Sequence, residues 1–246
     1  MSNVVVVYGG GFQPMHTGHL SSYLQAKNAF PEADMYVVAS NDTKVRPIPF
    51  AAKQFLAQQA GVTDPFVQVV APINPREVLA KYNPVQDIFI LVRSERDPVN
   101  YTKKDGSPGY FQPFVSLDKC KPFDQHGYVF VTKKHTFNIG GVEIYSGSQV
   151  RSLYAKANEP GKIELIKGLY PESKQLVKIK QVFDKYLSLQ ESIKYLHTRI
   201  LREGTLDQKL RMQLLVNELE DSAVSAPIKP FNQIKQYPLA DLLSGK

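Results

Sequence analysis

Cysteine and long apolar runs are the two features that this sequence most lacks. Cys120 is the single cysteine among 246 residues, so an internal disulfide is excluded and a zinc site built on thiolates is disfavoured. The longest apolar runs, such as residues 4–7, are far too short to cross a bilayer, and no charged segment precedes an apolar stretch at the N-terminus. We therefore expect a folded cytoplasmic protein without membrane contact.

The sequence signatures of nucleic-acid binding are also missing. We find no zinc-finger spacing, no basic heptad region and no aromatic strand of the RNP type. The chain has 30 Lys and Arg residues against 23 Asp and Glu, a formal net charge of +7, and its pI is about 9.3. Because the basic residues are scattered and form no dense arm, this charge favours small phosphate-bearing partners over nucleic acid.

Strand and helix signals alternate along the first half of the chain. Buried strands are predicted at residues 4–8, 35–39, 66–70 and 87–92, and helices at 14–29, 50–60 and 75–82. Alternation of this kind, with continuous apolar strands, is typical of a parallel sheet that is covered on both faces. The pattern therefore predicts a doubly wound α/β fold.

The periodicity fails in residues 97–127, which are rich in Pro, Gly, Lys and aromatic residues. This composition predicts an insertion or lid. A strand is predicted next at 128–132, followed by a hairpin over 137–144 that turns at Gly140 and Gly141. Helices should then begin near Ser146, span residues 161–169, and run from Pro171 towards residue 202. Residues 1–188 are thus predicted to form one domain.

Residues 189–246 no longer alternate strand with helix. An amphipathic helix is predicted at 206–219, before a Pro-containing tail that begins near residue 222. We interpret this region as a helical C-terminal extension, in which apolar residues such as Leu196 and Leu210 require burial. Two interpretations stay open: the extension packs on its own core, or it forms a homo-oligomer or another assembly contact.

The first functional motif is the segment VVVVYGGGFQPMHTGH, a buried strand that leads into a glycine turn and a helix start. Gly9, Gly10 and Gly11 have no side chains, so the backbone can turn tightly, and the amides that begin the next helix favour phosphate oxygens. His16 and His19 are three residues apart, which places both imidazoles on one side of a helical turn. No third metal ligand stands at suitable spacing, and the G-K-[ST] ending of a Walker A loop is absent.

The second motif is YSGSQVR, residues 145–151. Ser146 is suited to cap a helix whose first amides, together with the Ser148 hydroxyl, would face an anion. Arg151 lies one turn later and can bind two phosphate oxygens. Alone, this segment would be an ordinary helix start with a surface arginine. Combined with the HTGH segment, it predicts the second half of a phosphate site.

Both motifs resemble sequence signatures of a known protein superfamily. GGGFQPMHTGHL resembles the GxFxPxHxGH signature of the nucleotidyltransferase superfamily, and YSGSQVR resembles its second motif, ISGTxVR. RPIPFAAKQ, residues 46–54, is similar to the NPFTxxER segment of nicotinamide mononucleotide adenylyltransferases. Lys53 and Gln54 replace the Glu-Arg pair of that group, and Tyr145 replaces an apolar residue. Tailed phages also encode proteins similar to this family, and these departures are typical of such an outlier.

The resemblance covers residues 3–187 and implies a Rossmann-like fold with particular site residues. His16 and His19 would contact the phosphates of a nucleoside triphosphate, and Arg151 would neutralise them. The helix start would hold the distal phosphates, and the glycine turn would pass beneath the nucleotide. Lys44 and Arg46, in the loop after the second strand, would add positive charge near the acceptor or the triphosphate. The glycine turn consists of Gly9, Gly10, Gly11 and Phe12, and the helix start consists of Ser146, Gly147 and Ser148.

The reaction that the resemblance implies is transfer of AMP or CMP from ATP or CTP to a phosphorylated small molecule, with release of pyrophosphate. Nicotinamide mononucleotide is the leading acceptor, and Mg²⁺ would arrive with the triphosphate without a dedicated protein site. Arg93, which ends a strand, and Arg96 either contact the nucleotide or belong to a solvated turn. The alternative is a binding or structural protein, for example of a phage, that uses the extension for partner contacts.

Overall fold

The computed structural model describes residues 2–43, 47–97 and 99–187. The strands are β1 Val4–Gly9, β2 Asp34–Ala39, β3 Phe66–Gln68, β4 Ile88–Ser94, β5 Phe111–Pro113, β6 Gly127–Thr132, β7 Phe137–Ile139 and β8 Val142–Ile144. The helices are α1 Thr17–Ala29, α2 Phe50–Ala60, α3 Arg76–Leu79, α4 Gly147–Lys156, α5 Glu159–Leu169 and α6 Leu176–Leu187, with a 3₁₀ turn at Leu117–Lys119. None of the helices described here is long and apolar enough to cross a membrane.

Six strands form one sheet in the order β3-β2-β1-β4-β6-β5, and all neighbouring strands are parallel. The chain begins at the centre with β1, moves outward to β3, and then crosses to β4 on the other side of β1. The strand order therefore reverses between β1 and β4, which is where α/β sheets bind ligands beyond the carboxyl ends of their strands. The doubly wound, Rossmann-like α/β fold is confirmed.

Both faces of the central strands are buried. Val6 and Tyr8 of β1 belong to the larger core cluster, which also contains residues of α1, α2, α4, α5 and α6. Val5 and Val7 point to the opposite face and join a smaller cluster with Val78 of α3. Successive side chains of a strand alternate between faces, so a strand covered on both sides must be apolar throughout. This requirement explains the run of four valines in β1.

Residues 97–127 contribute to the sheet, although the sequence analysis predicts no strand in this segment. β5 pairs with β6 and forms the edge of the sheet. It has only three residues, too few to display a periodic pattern, and one of them is Pro113. Proline is tolerated at this position because an edge strand has one side without sheet hydrogen bonds. Part of the predicted insertion is therefore built into the sheet.

The segment that follows β6 matches the prediction in one place and differs in another. Gly140 and Gly141 both have positive φ, at 56° and 79°, as the tightest hairpin turns require, and the predicted hairpin is confirmed. The predicted helix start at Pro171 is wrong, since α6 begins at Leu176. Pro171 follows the end of α5, where proline commonly stops a helix. The C-terminal extension, residues 189–246, lies outside the described residues.

Asp87 joins chain segments at the amino ends of β1 and β4, opposite the carboxyl ends. Its carboxylate accepts hydrogen bonds from the main-chain nitrogens of Asn3 and Asn83, each at 2.8 Å, and from the Asn3 amide at 3.2 Å. Burial raises the pKa of Asp87, but these hydrogen bonds outweigh it and leave the pKa below its usual 3.8. The side chain is 2% exposed.

We expect Asp87→Ala to lower the free energy of unfolding by about 3 kcal/mol, because three part-buried hydrogen bonds to a charged acceptor are lost together. Urea unfolding at neutral pH measures this loss. Since the folded-state pKa is depressed, the contribution of Asp87 is present above about pH 4 and is lost as the pH falls through the folded-state pKa. Asp105→Ala is the control because Asp105 is exposed in a surface turn. Equal losses for the two variants would contradict the assignment.

Candidate functional site

The glycine turn after β1 is shaped by contacts within the protein. A Cβ atom on Gly9 would lie 2.3 Å from the main-chain oxygen of Pro72, and one on Gly10 would lie 2.6 Å from the ring of Phe12. Both distances are far below van der Waals contact. Packing therefore requires glycine at these two positions before any ligand is considered.

Phe12 adopts a strained backbone conformation at the end of this turn. Its φ is 44°, in the left-handed region that residues with a Cβ rarely adopt. Its buried ring lies edge-on to Tyr8 and to His19, with ring centres 5.4 and 5.3 Å apart. Strain of this kind persists when surrounding packing holds it, and it clusters at functional sites. Here the packing fixes the loop that carries the two histidines.

His16 and His19 meet at the start of α1. His16 is the N-cap, and its Nδ1 accepts a hydrogen bond from the main-chain nitrogen of Gly18 at 3.1 Å. His19 is the third residue of the helix, and its ring centre lies 3.9 Å from that of His16. Because Nδ1 of His16 is an acceptor, Nε2 carries the proton of the neutral ring and can donate to a ligand. The predicted pairing of the two imidazoles is present.

Both histidines are held neutral in the free protein. Burial, assisted by the nearby His19 and Arg96, lowers the pKa of His16 well below 6.5, and burial lowers the pKa of His19 to about 4. The Nδ1 atom of His19 is buried and has no hydrogen-bond partner among the residues that the structure describes. An anion bound here would reverse this effect, since a negative charge favours the protonated ring.

The second motif starts α4 as predicted. Ser146 is the N-cap, and its Oγ accepts a hydrogen bond from the main-chain nitrogen of Gln149 at 3.2 Å. A Cβ atom on Gly147 would lie 2.8 Å from the main-chain oxygen of Gln13, so this position requires glycine. The two motifs, far apart in sequence, are thus packed backbone to backbone.

Arg151 connects the two motifs from the second turn of α4. Its guanidinium donates to the main-chain oxygen of Gln13 at 2.6 Å and to the Ser148 hydroxyl at 3.1 Å. The resemblance implies that Arg151 neutralises phosphates directly. The contacts present in the structure give it a further task, which is to hold the histidine loop against the start of α4.

A half-open cleft of about 220 Å³ lies between the motifs. Of the predicted site residues, it is lined by His16, His19, Ser146 and Gly147. Ser148 and Arg151 follow in α4 but do not line the cleft, and Arg93 forms an ion pair with Asp97 at 3.9 Å. Lys44 and Arg46 lie outside the described residues. Within the described ranges, no group of three or more His, Cys, Asp or Glu side chains is arranged to hold a metal ion.

Several cleft residues carry no motif and were not singled out in the sequence. Lys134 and His135 follow the carboxyl end of β6, and Ser22 belongs to α1. The available signal was the position of residues 134 and 135 just after the strand predicted at 128–132, since α/β proteins bind ligands beyond the carboxyl ends of their strands. That position, together with the charge of Lys134, would have identified them.

Lys53 occupies one position where the chain departs from the adenylyltransferase pattern. Its side chain is fully buried, and Nζ donates a hydrogen bond to the main-chain oxygen of Ser40 at 2.6 Å. Ser40 directly follows β2, so Lys53 holds α2 against the carboxyl end of that strand. A buried lysine requires such a polar partner.

Gln13 ties the histidine loop to the segment that precedes α2. Its side-chain oxygen accepts from the main-chain nitrogen of Ile48 at 2.9 Å, and its side-chain nitrogen donates to the main-chain oxygen of Ile48 at 3.0 Å. Both residues are buried. Because Ile48 follows the loop of Lys44 and Arg46 in sequence, Gln13 anchors the end of that loop beside the histidines.

Residues 7–106 match the model of the cytidylyltransferase-like family. The matched segment contains the glycine turn and the histidine pair, and it ends in the loop that follows β4; the second motif lies beyond it. The resemblance to the HxGH nucleotidyltransferase superfamily is thereby confirmed. No curated protein matches the sequence of the chain.

The solved structures that match this chain have low sequence identity to it. Two are structures of a bifunctional NMN adenylyltransferase/ADP ribose pyrophosphatase from Francisella tularensis, with identities of 14% and 12% and TM-scores of 0.43 and 0.42. The second of these contains AMP and a manganese ion. Each match covers 94% of this chain, which spans only 58% of the length of the Francisella protein. A third, the macrolide-efflux protein of Streptococcus pneumoniae, is 16% identical over 66% of this chain and 55% of its own, with a TM-score of 0.35.

We expect Gln13→Leu to lower the free energy of unfolding by roughly 2 to 4 kcal/mol, because the buried N–H and C=O of Ile48 both lose their partner. Leucine keeps a similar volume, so a cavity does not account for the loss. Chemical denaturation measures it. Gln54→Leu is the matched control, since the Gln54 amide makes a single long hydrogen bond, at 3.5 Å, to Phe66. A Gln13 variant as stable as the Gln54 variant would show that the tie to Ile48 is unimportant.

Proposed function

We propose that the chain transfers a nucleotidyl group from a nucleoside triphosphate to a phosphorylated acceptor and releases pyrophosphate. One observation carries this proposal: the histidine pair at the start of α1 and the capped start of α4 line the same cleft. Helix starts offer free amides to phosphate oxygens, and two such starts can bind successive parts of one triphosphate. The match of residues 7–106 to the cytidylyltransferase-like family supports the same reaction class.

The reaction needs no protein nucleophile. A phosphate oxygen of the acceptor attacks the α-phosphorus in line, a new P–O bond forms, and the bond to the bridging oxygen of the β-phosphate breaks with both electrons leaving on pyrophosphate. Mg²⁺ enters as part of the triphosphate substrate. The protein aligns two anions that repel each other and stabilises the charge that grows on the leaving group.

The histidines and the start of α4 divide this work. Nε2–H of His16 is a donor suited to a phosphate oxygen, and the unpartnered Nδ1 of His19 gains a proton more readily once a phosphate is near. The amides that follow Ser146 carry the positive end of the helix dipole and suit the distal phosphates. Arg151 bonds to both Gln13 and Ser148, and it thereby holds the histidine loop opposite the start of α4.

Adenylyl transfer to nicotinamide mononucleotide is the leading specific case. It rests on the similarity of residues 46–54 to the NPFTxxER segment and on the GxFxPxHxGH signature. Cytidylyl transfer to a phosphorylated alcohol is the second case, favoured by the family whose model matches residues 7–106. The two cases differ in both the triphosphate and the acceptor, so one panel of substrates separates them.

A panel that crosses ATP and CTP with nicotinamide mononucleotide and phosphorylated alcohols tests the proposal. We expect release of pyrophosphate with one pair and a new pyrophosphate linkage in the phosphorus NMR spectrum. His16→Asn and His19→Asn should each lower kcat/KM about 100-fold or more, since asparagine cannot take up the proton that would make the side chain a cation beside a phosphate. His126→Asn is the matched control because His126 precedes β6, at the opposite end of that strand from the cleft.

Full activity of the His16 and His19 variants would remove these residues from the reaction. Absence of pyrophosphate release with every pair, in protein that is folded and binds ATP, would favour the binding or structural alternative.

A further inference from the structure

Two cationic side chains at the mouth of the cleft lie over the same aromatic ring. The guanidinium carbon of Arg96 lies 5.0 Å from the centre of the Tyr145 ring, and the ammonium nitrogen of Lys134 lies 5.9 Å from the same centre. Arg96 also donates a hydrogen bond to the main-chain oxygen of Tyr145. All three residues are exposed and line the cleft that contains His16 and His19.

Among the residues that the structure describes, neither cation is neutralised by a carboxylate. In the part of the chain that the structure describes, no acidic side chain forms an ion pair with Arg96 or Lys134. Asp97, which lines the same cleft, pairs with Arg93. Glu95 accepts a hydrogen bond from the main-chain nitrogen of Lys134 at 2.8 Å, which orients the backbone of the residue. Two positive side chains that are held close together without an acidic partner favour the binding of a polyanion.

The cations stand beside the start of α4. Tyr145 directly precedes the N-cap Ser146, and the bond from Arg96 is made to the carbonyl that joins these two residues. The positive end of the helix dipole therefore adds to the two side-chain charges. The positive charge of Arg96 also acts on His16, because it helps to lower the pKa of that side chain. Fixed positive charge is thus concentrated at the α4 side of the cleft.

We propose that Arg96 and Lys134 bind the pyrophosphate portion of the triphosphate, and that Tyr145 is a positioning residue for both. The inference rests on the proposed transferase function and adds two cationic residues, Arg96 and Lys134, that lie outside both sequence motifs. The face of the Tyr145 ring attracts each cation and offsets their mutual repulsion. Charge-assisted hydrogen bonds to phosphate are stronger than this attraction, so the cations remain available to the ligand.

Calorimetric titration with magnesium pyrophosphate and, separately, with AMP tests the two cations. We expect Arg96→Gln and Lys134→Gln each to weaken pyrophosphate binding about tenfold, the effect of one lost charge-assisted hydrogen bond. AMP lacks the two distal phosphates, so its affinity should change less than about twofold by the same reasoning. Lys133→Gln is the matched control: it removes the same charge from an exposed neighbour that does not line the cleft.

Two variants of Tyr145 test its positioning role. Tyr145→Phe keeps the aromatic face, and its pyrophosphate affinity should equal that of the unaltered protein. Tyr145→Leu removes the ring and substitutes the apolar residue type usual in this family, and it should weaken pyrophosphate binding about threefold. Equal affinities for the phenylalanine and leucine variants would overturn the role of the ring. The melting temperature of each variant establishes that it is folded.

The failure of this inference is distinguishable from failure of the proposed function. If Lys134→Gln binds pyrophosphate as tightly as Lys133→Gln does, or if AMP affinity falls as much as pyrophosphate affinity, the inference is overturned even in an active transferase. If the unaltered protein binds pyrophosphate through these residues but transfers no nucleotide, the proposed function fails and the binding site stands.

Discussion

The contact between the histidine loop and the start of α4 is the constraint on which the site depends. The main-chain oxygen of Gln13 accepts a hydrogen bond from Arg151, 138 residues later in the chain. Gly147 approaches that oxygen so closely that a side chain would collide with it. Because this contact sets the spacing of the two helix starts, it decides whether both can touch one triphosphate. Small errors in such spacing are costly, since catalysis by alignment depends on geometry.

The electrostatics of the cleft combine two kinds of positive charge. Arg96 and Lys134 are charged whether or not a ligand is present, and they lie at the exposed mouth. His16 and His19 are buried and neutral in the free protein, since burial lowers the pKa of each. A buried pair of permanent charges without a counter-ion would destabilise the fold. In the proposed reaction, histidines would avoid this cost because they would become cationic only when a phosphate binds.

The sequence predicted the parts of this protein that are periodic or local. The bounds of α2 match the prediction, the hairpin turns at Gly140 and Gly141, and the two motifs lie at helix starts as expected. The strand β5 was not predicted because a strand of three residues that includes a proline shows no hydrophobic periodicity. The bonds between Gln13 and Ile48 and the shared ring of Tyr145 are long-range contacts, and a single sequence has no pattern that records which distant residues meet. Lys134 and His135 differ from these contacts, because their position after the strand predicted at residues 128–132 was a usable signal.

The central claim is that the histidine pair receives the phosphates of a nucleotide. Histidine NMR titration measures it directly, with and without an ATP analogue whose α,β-bridge is a methylene group. In the free protein, His16 should titrate well below pH 6.5 and His19 near pH 4. With the analogue bound, both pKa values should rise because the negative charge favours the protonated rings. Unchanged titration of both His16 and His19 in a saturated complex would contradict the account.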